Sequence, residues 1–179
     1  MLAVVAMVIG RALISPAPRP RPAPSKAKAF VRFRDTAGGI SILRPAGWRR
    51  VVSPDPQVRL LAEGDGASMQ VRMANLGIQV GPESLGPAKK LTDRLVRSAG
   101  GAKPLRPPRR VTLAGLPGYL YIYTFRDPAT GAQGAHAHYF LFRGQSLRTI
   151  VFQVVPADGF ARLAPLFDRL GETLRVSAG

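Results

Sequence analysis

The sequence contains no cysteine, and this absence excludes several kinds of protein at once. A disulfide-stapled scaffold, a thiolate metal site and a cysteine nucleophile all need a residue type that the chain does not have. At 179 residues with 46% hydrophobic content, the chain suits one folded domain plus an extension. A body of roughly 145 residues buries about two thirds of its unfolded surface, which is enough for a core without disulfides or metal.

Sequence motifs of the common enzyme classes are also missing. The chain has no phosphate-binding GxxxxGKS/T motif, no dinucleotide-binding GxGxxG, no GxSxG nucleophile elbow, no HExxH and no calcium-binding loop. We therefore expect a protein that is not an enzyme and that carries no cofactor.

Acidic residues are scarce, with 10 against 26 basic ones and a formal net charge of +16. Seven basic residues precede Asp35, the first acidic residue, which leaves 19 basic against 10 acidic residues and a charge of +9 from there onward. The abundance of Arg, Ala, Gly and Pro is typical of a GC-rich genome, and this bias is the preferred explanation of the charge. The alternative is a basic surface for a polyanion. Its candidate residues are Arg49, Arg50, Arg109 and Arg110.

The N-terminal stretch 1–14 is predicted to be an apolar membrane anchor. An unbroken apolar run covers Leu2 to Ile9, and Arg11 interrupts it before Ile14. The run is shorter than the ~20 residues that span a bilayer, and it has no preceding charged segment or small-residue cleavage site. Either the true start lies upstream, or this is a weak uncleaved anchor. An apolar cytosolic arm is the alternative.

Residues 15–34 are predicted to be a Pro/Arg-rich linker to a folded domain at 35–179. Proline occupies every second position from Pro16 to Pro24, which favours an extended polyproline conformation. The stretch 15–28 can reach about 40 Å at ~3.1 Å per residue. An anchor followed by a stiff spacer would hold the body away from a membrane surface, and the body is expected outside the cytoplasm. The basic flank would by itself favour a cytoplasmic body, but a basic segment missing upstream would reverse that orientation. A proline-rich ligand for a recognition domain is a further alternative.

The chain is organised around Leu116–Pro156, which is predicted to form three consecutive antiparallel strands. Side chains alternate along a strand, so Tyr119 lies on one face and Leu120 on the other, and both faces are apolar. The third strand repeats this two-sided pattern. The strands are joined by a turn-rich loop at 127–134 and a tight turn at 143–146. This sheet is therefore expected to be covered on both sides.

Shorter elements surround this core and predict an α+β fold. Strands are predicted at 40–44, 48–52, 57–62, 67–75 and 109–113, with a loop at 76–83. Ser84 is the candidate N-cap of a helix that ends at residues 100–101. Asp158 is the candidate cap of a closing helical segment, which Pro165 is expected to divide. Trp48 is expected to pack in the core beside a turn.

His136 and His138 are the most suggestive pair of polar residues. They lie two residues apart on a predicted strand, so both imidazoles lie on one face, a spacing that can chelate a metal. A third ligand would have to come from elsewhere, for example from Asp127 or Glu63. Because two phenylalanines continue the same face, the preferred interpretation is a polar end to an apolar face. No metal site is assigned.

Several structural motifs resemble the PsbP-like (Mog-type) domain over about residues 35–176. They are Gly-Ile-Ser-Ile-x-x-Pro-x-Gly-Trp at 39–48, a helix beginning near Ser-x-x-Pro at 84–87, and Gly-Leu-Pro-Gly-Tyr at 115–119. The resemblance implies an α/β/α sandwich whose central antiparallel sheet has about seven strands, with helices on both faces. Members include an extrinsic photosystem II subunit, a Ran-binding protein and bacterial anchored domains without assigned activity. The resemblance thus implies a binding or accessory module, and without a lipobox cysteine a lipoprotein anchor does not transfer.

The leading hypothesis is a non-enzymatic, membrane-tethered module that binds an unknown protein or small molecule. Its candidate ligand-binding residues are His136, His138 and Tyr119. One alternative is a protein that binds nucleic acid or anionic lipid through its basic residues, although nucleic acid is not the expected partner. Another is an unrecognised enzyme or metal site around His136 and His138, with Tyr119 or Asp127 as further candidates for an enzyme.

Overall fold

The strand Leu116–Arg126 (β7) is buried on both of its faces. Tyr119 belongs to the apolar cluster that contains the helix Leu85–Ser98 (α1), whereas Leu120 belongs to the cluster that contains the helix Phe160–Glu172 (α2). A strand that is apolar on both sides has to be covered twice. The predicted two-sided sheet is therefore confirmed.

The computed structural model of the protein describes residues 29–99 and 101–177. The predicted anchor at 1–14 and the predicted linker up to residue 28 lie outside these residues. The described strands are β1 (Phe30–Asp35), β2 (Ile40–Pro45), β3 (Arg49–Arg50), β4 (Val58–Gly64), β5 (Ala67–Val80), β6 (Lys103–Leu113), β7, β8 (Gln133–Val154) and β9 (Arg175–Val176). Within the described part of the chain, no helix is long and apolar enough to cross a membrane.

The large sheet has the strand order β3-β4-β5-β8-β7-β6, with antiparallel neighbours. Strand β8 pairs with β7 through residues 133–141 and with β5 through residues 144–154. His136 and Gln153 are in hydrogen-bond contact at 2.8 Å, although 17 extended residues would span about 56 Å. The chain therefore reverses within β8, where Gly144 has a φ of +57°. Counting the halves of β8 separately gives seven strands, in agreement with the predicted number of about seven.

A small second sheet, in the order β1-β2-β9, joins the two ends of the described chain. Phe30 pairs with Pro45 at one end of the β1–β2 ladder and Asp35 with Ile40 at the other. Residues 30–34, which the sequence analysis placed in the linker, are therefore part of a sheet. Trp48, which follows β2, is 4% exposed, and the prediction that it packs in the core is confirmed.

The two helices lie on opposite faces of the large sheet. Helix α2 contributes Phe167, whose ring stacks on Phe152 of β8 with ring centroids 5.1 Å apart. Helix α1 contributes Leu85 and Val96 to the cluster on the other face. The predicted α/β/α sandwich with a central antiparallel sheet is confirmed.

Two strands are longer than the residue pattern indicated. Strand β5 runs on to Val80 through the predicted loop at 76–83, and β6 begins at Lys103 rather than at Arg109. The pairing in these extensions is irregular: the β5–β8 register shifts between Asn75 and Val80, and β6 pairs with β7 through register shifts. Sequence alternation could not reveal them because side chains lose their regular two-residue period at a bulge.

Ser84 is the N-cap residue of α1, as predicted, whereas the predicted cap of the closing segment, Asp158, is wrong. The Ser84 hydroxyl makes no capping hydrogen bond to the helix; it accepts a hydrogen bond from the Gly81 N–H at 2.8 Å within the short turn before the helix. No side chain caps α2 either, since its N-cap is Gly159 and Asp158 lies in the turn before it. Pro165 does not divide the second helix but lies inside α2.

Gly118, in the Gly-Leu-Pro-Gly-Tyr motif, is expected to be the glycine least tolerant of substitution. It pairs with Leu141, and a Cβ atom placed on it would overlap the backbone carbonyl oxygen of Phe140. Because backbone of a central strand cannot easily move, Gly118→Ala should lower the free energy of unfolding by about 3 kcal/mol. Urea denaturation would measure this loss.

The control is Gly47→Ala, since a Cβ atom at Gly47 meets nothing within 4 Å. This variant should stay within about 0.5 kcal/mol of the wild type. Equal stability of the two variants would contradict the close approach of β7 and β8.

Candidate ligand-binding site

Three tyrosines follow one face of β7, and the first two fasten helix α1 to the sheet. The Tyr119 hydroxyl donates to the Leu85 carbonyl oxygen at 3.1 Å, at the start of the helix. The Tyr121 hydroxyl donates to Asp93 Oδ1 at 2.7 Å and lies 2.7 Å from the Thr92 hydroxyl. Both hydroxyls are thus used to hold the helix.

Tyr123, the third tyrosine, hydrogen-bonds to two histidines instead. Its hydroxyl lies 3.0 Å from His136 Nδ1 and 3.1 Å from His138 Nδ1. His136 is its direct partner across the β7–β8 ladder, and His138 is two residues along the same face. Gln153, on the returning half of β8, places its Oε1 atom 2.8 Å from His136 Nε2. These four residues are called the Tyr123 cluster below.

Aromatic stacking holds the two imidazole rings in place. His136 stacks on Phe125 with centroids 4.0 Å apart, and His138 stacks on Phe140 with centroids 3.9 Å apart. The two imidazoles are nearly perpendicular, at 89°, with centroids 6.5 Å apart. Each ring is fixed both in plane and in position, so its nitrogens point in defined directions.

A cavity of about 310 Å³ adjoins the cluster on the α1 face of the sheet, and we call it the α1 cavity. It is lined by β5, both halves of β8, Tyr123 and the last turn of α1, where Leu95 is 42% exposed. His138 is among its lining residues, and the His138 Nε2 atom is buried without any hydrogen-bond partner. The volume falls in the range of small-molecule sites, which combine an apolar lining with few polar groups.

Burial keeps the Tyr123 cluster electrically neutral. It lowers the pKa of His138 to about 3, helped by the nearby His136. Burial also lowers the pKa of His136, although the hydrogen bond to Gln153 acts in the opposite direction. The pKa of Tyr123 is raised to about 12 for the same reason. At neutral pH the cluster therefore consists of uncharged hydrogen-bonding groups.

The structure unites only some of the predicted ligand-binding residues. His136 and His138 share one face, as side-chain alternation indicates, but Tyr119 pairs with Phe140 and lies beneath the start of α1. Tyr123 takes the place expected for Tyr119. The short 127–132 loop places Arg126 opposite Gln133, so counting back along the hairpin could have paired Tyr123 with His136.

The acidic residues considered as additional metal ligands do not join the histidines. The Asp127 carboxylate accepts two backbone N–H groups of its own loop, at 2.8 and 3.2 Å, and Glu63 is paired with Arg49. Both acids line a different, shallow cavity that Gln153 also borders. Between residues 29 and 177, leaving out residue 100, no group of three or more His, Asp or Glu side chains is placed to hold a metal ion.

The four candidate polyanion-binding arginines do not form one surface. Arg49 and Arg50 are on β3, at one edge of the large sheet, and Arg50 lies 5.3 Å above the Phe33 ring. Arg109 and Arg110 are on β6, at the opposite edge. With strands about 4.8 Å apart, the two pairs are separated by about 25 to 30 Å.

No family model matches the chain, and no curated protein matches it significantly in sequence. Solved structures do resemble it. Cyanobacterial PsbP (CyanoP) from Synechocystis sp. PCC 6803 is 14% identical with a TM-score of 0.57, over 87% of this chain and 96% of that chain. The Ran-binding protein Mog1p of Saccharomyces cerevisiae is 10% identical with a TM-score of 0.53, over 84% and 96%.

LpqN of Mycobacterium tuberculosis, described as involved in cell envelope biogenesis, is 13% identical with a TM-score of 0.52, over 78% of this chain and 83% of that chain. At identities this low, the likeness establishes the fold alone. The chain has the PsbP/Mog1-like fold that its motifs predicted.

The two histidines should make the stability of the domain pH-dependent. Their pKa values are lowered in the folded protein, whereas in the unfolded chain they take up protons below about pH 6.5. The unfolded state then binds more protons, so the free energy of unfolding falls as the pH is lowered below 6.5, and His138 alone contributes a slope of up to about 1.4 kcal/mol per pH unit. His138→Asn removes one titration while keeping an amide N–H near the Tyr123 hydroxyl. Urea denaturation between about pH 7 and 4.5 should show a slope smaller by about 1.4 kcal/mol per unit in the variant; equal slopes would show that His138 is not held neutral.

Proposed function

We propose that this protein is a non-enzymatic binding module that takes a small, largely apolar molecule into the α1 cavity, and that its N-terminal segment tethers it to a membrane. The observation that carries the proposal is the His138 Nε2 atom, which is buried without a partner on a residue that lines the cavity. Leaving a buried polar atom unsatisfied costs about 1–3 kcal/mol. A ligand that bonds to this atom recovers that cost, which supports a binding role for the cavity.

The chemistry of the Tyr123 cluster favours binding over catalysis. A general base works best with a pKa near the working pH, and the pKa of His138 is lowered to about 3. Tyr123 is a poor nucleophile because its pKa is raised to about 12. Its hydroxyl is also shared between two imidazoles, so it is held as a structural bridge.

The proposed tether rests on the sequence before the described residues. The apolar stretch 1–14 and the proline-rich stretch after it would hold the folded body away from a membrane surface. Display outside the cytoplasm is consistent with LpqN, a protein of similar fold that is involved in cell envelope biogenesis. The competing polyanion-binding function has less support, because its candidate arginines lie at opposite edges of the sheet.

Filling the cavity should abolish small-molecule binding. Ala74 lines the α1 cavity, so Ala74→Trp places an indole ring inside it. Saturation-transfer NMR on the full-length chain, with indole and benzofuran as probes at millimolar concentration, should detect binding to the wild type and little or none to the variant.

The matched control is Ala129→Trp, at an exposed position in the 127–132 loop. It should bind both probes like the wild type. The proposed function would be contradicted if Ala74→Trp bound the probes as well as Ala129→Trp does, or if the wild type bound neither probe.

Membrane display should be visible in cells. The full-length chain with a C-terminal tag is expected in the membrane fraction, and protease added to intact cells should remove the tag. A tag found in the soluble fraction would contradict the tether. A membrane-bound tag that resists external protease, while a known external protein is cut, would contradict display outside the cytoplasm.

A further inference from the structure

The hydrogen bonds of the Tyr123 cluster determine which nitrogen of each imidazole carries its proton. A neutral imidazole has one N–H donor and one bare acceptor nitrogen, so each bond limits the next one. The side chain of Gln153 presents its carbonyl oxygen Oε1 to His136 Nε2 at 2.8 Å. Since a carbonyl oxygen only accepts, His136 Nε2 must be the donor, and His136 carries its proton there.

The remaining protons follow in sequence. With the His136 proton on Nε2, its Nδ1 is bare and accepts the O–H of Tyr123 at 3.0 Å. The only proton of the Tyr123 hydroxyl is then used in this bond. The Tyr123 oxygen must therefore accept a hydrogen bond from His138 Nδ1, 3.1 Å away. His138 therefore carries its proton on Nδ1, and its buried Nε2 atom keeps a bare lone pair without a partner, on a residue that lines the α1 cavity.

We propose that the α1 cavity selects an uncharged small molecule with an apolar body that donates one hydrogen bond, from a hydroxyl or an N–H group, to His138 Nε2. This inference rests on the proposed function and adds the chemical class of the ligand. A molecule with only an acceptor would set its lone pair against that of Nε2. A cation is disfavoured because none of the described residues that line the cavity is a carboxylate.

The proton positions are tested first, without any ligand. Two-bond ¹H–¹⁵N correlation spectra distinguish a bare ring nitrogen from a protonated one. The full-length chain has 2 histidines, so without a histidine tag it gives two imidazole patterns, and His138→Asn assigns them. We expect a proton on Nδ1 and a bare Nε2 for His138. A proton on His138 Nε2 would overturn the inference.

The ligand class is tested with three flat bicyclic probes of similar size. Indole has an N–H donor, benzofuran replaces it by an oxygen, and isoquinoline offers only an acceptor nitrogen. In neutral to mildly alkaline buffer, the full-length wild type should bind indole about ten-fold or more tightly than benzofuran, the effect expected of one hydrogen bond at a buried acceptor. Isoquinoline should bind no better than benzofuran.

Two variants separate His138 from general effects on the fold. His138→Asn, which has no atom at the Nε2 position, should bind indole and benzofuran about equally tightly. Tyr119→Phe removes a hydroxyl from the same face of β7 but leaves the cluster intact, so the ten-fold preference should persist.

Failure of this inference can be told apart from failure of the proposed function. Equal binding of indole and benzofuran to the wild type, or tightest binding of isoquinoline, would overturn the donor selectivity while the cavity still binds small molecules. Binding of none of the three probes would overturn the proposed function, and the ligand class with it.

Discussion

The constraint on which the structure depends is that strands β7 and β8 are apolar on both faces and therefore need a cover on each side. Helix α2 supplies one cover and helix α1 the other. A helix of 14 residues is about 21 Å long, whereas an 11-residue strand such as β7 extends about 36 Å. The shorter cover leaves part of the α1 face open, and the α1 cavity lies where the helix ends.

The Tyr123 cluster is a consequence of where the cover stops. Tyr119 and Tyr121 lie under the helix, and their hydroxyls hydrogen-bond to it. Tyr123 lies at the end of the helix, and its hydroxyl hydrogen-bonds to the histidines instead. Buried polar groups need partners, and these groups satisfy one another with a single exception, His138 Nε2. The same arrangement that completes the fold therefore leaves one buried nitrogen of the cluster without a partner.

Much of the fold could be predicted from the sequence because side-chain alternation is a local property. It placed Tyr119 and Leu120 on opposite faces and His136 and His138 on one face. The site could not be predicted in full, since Tyr123 and Gln153 join it through strand register and through the reversal inside β8, which bring together residues 17 positions apart. In the same way, Arg49 and Arg109 look alike in sequence, and only strand order shows that they lie at opposite edges.

A crystal structure of the full-length chain in complex with indole would test the central claim. This claim is that the uncovered end of the α1 face is a ligand site in which His138 accepts a hydrogen bond from the ligand. The result we expect is an indole ring in the α1 cavity, with its nitrogen about 2.9 to 3.0 Å from His138 Nε2. A cavity closed by the protein's own side chains, or indole bound only elsewhere on the protein, would contradict it.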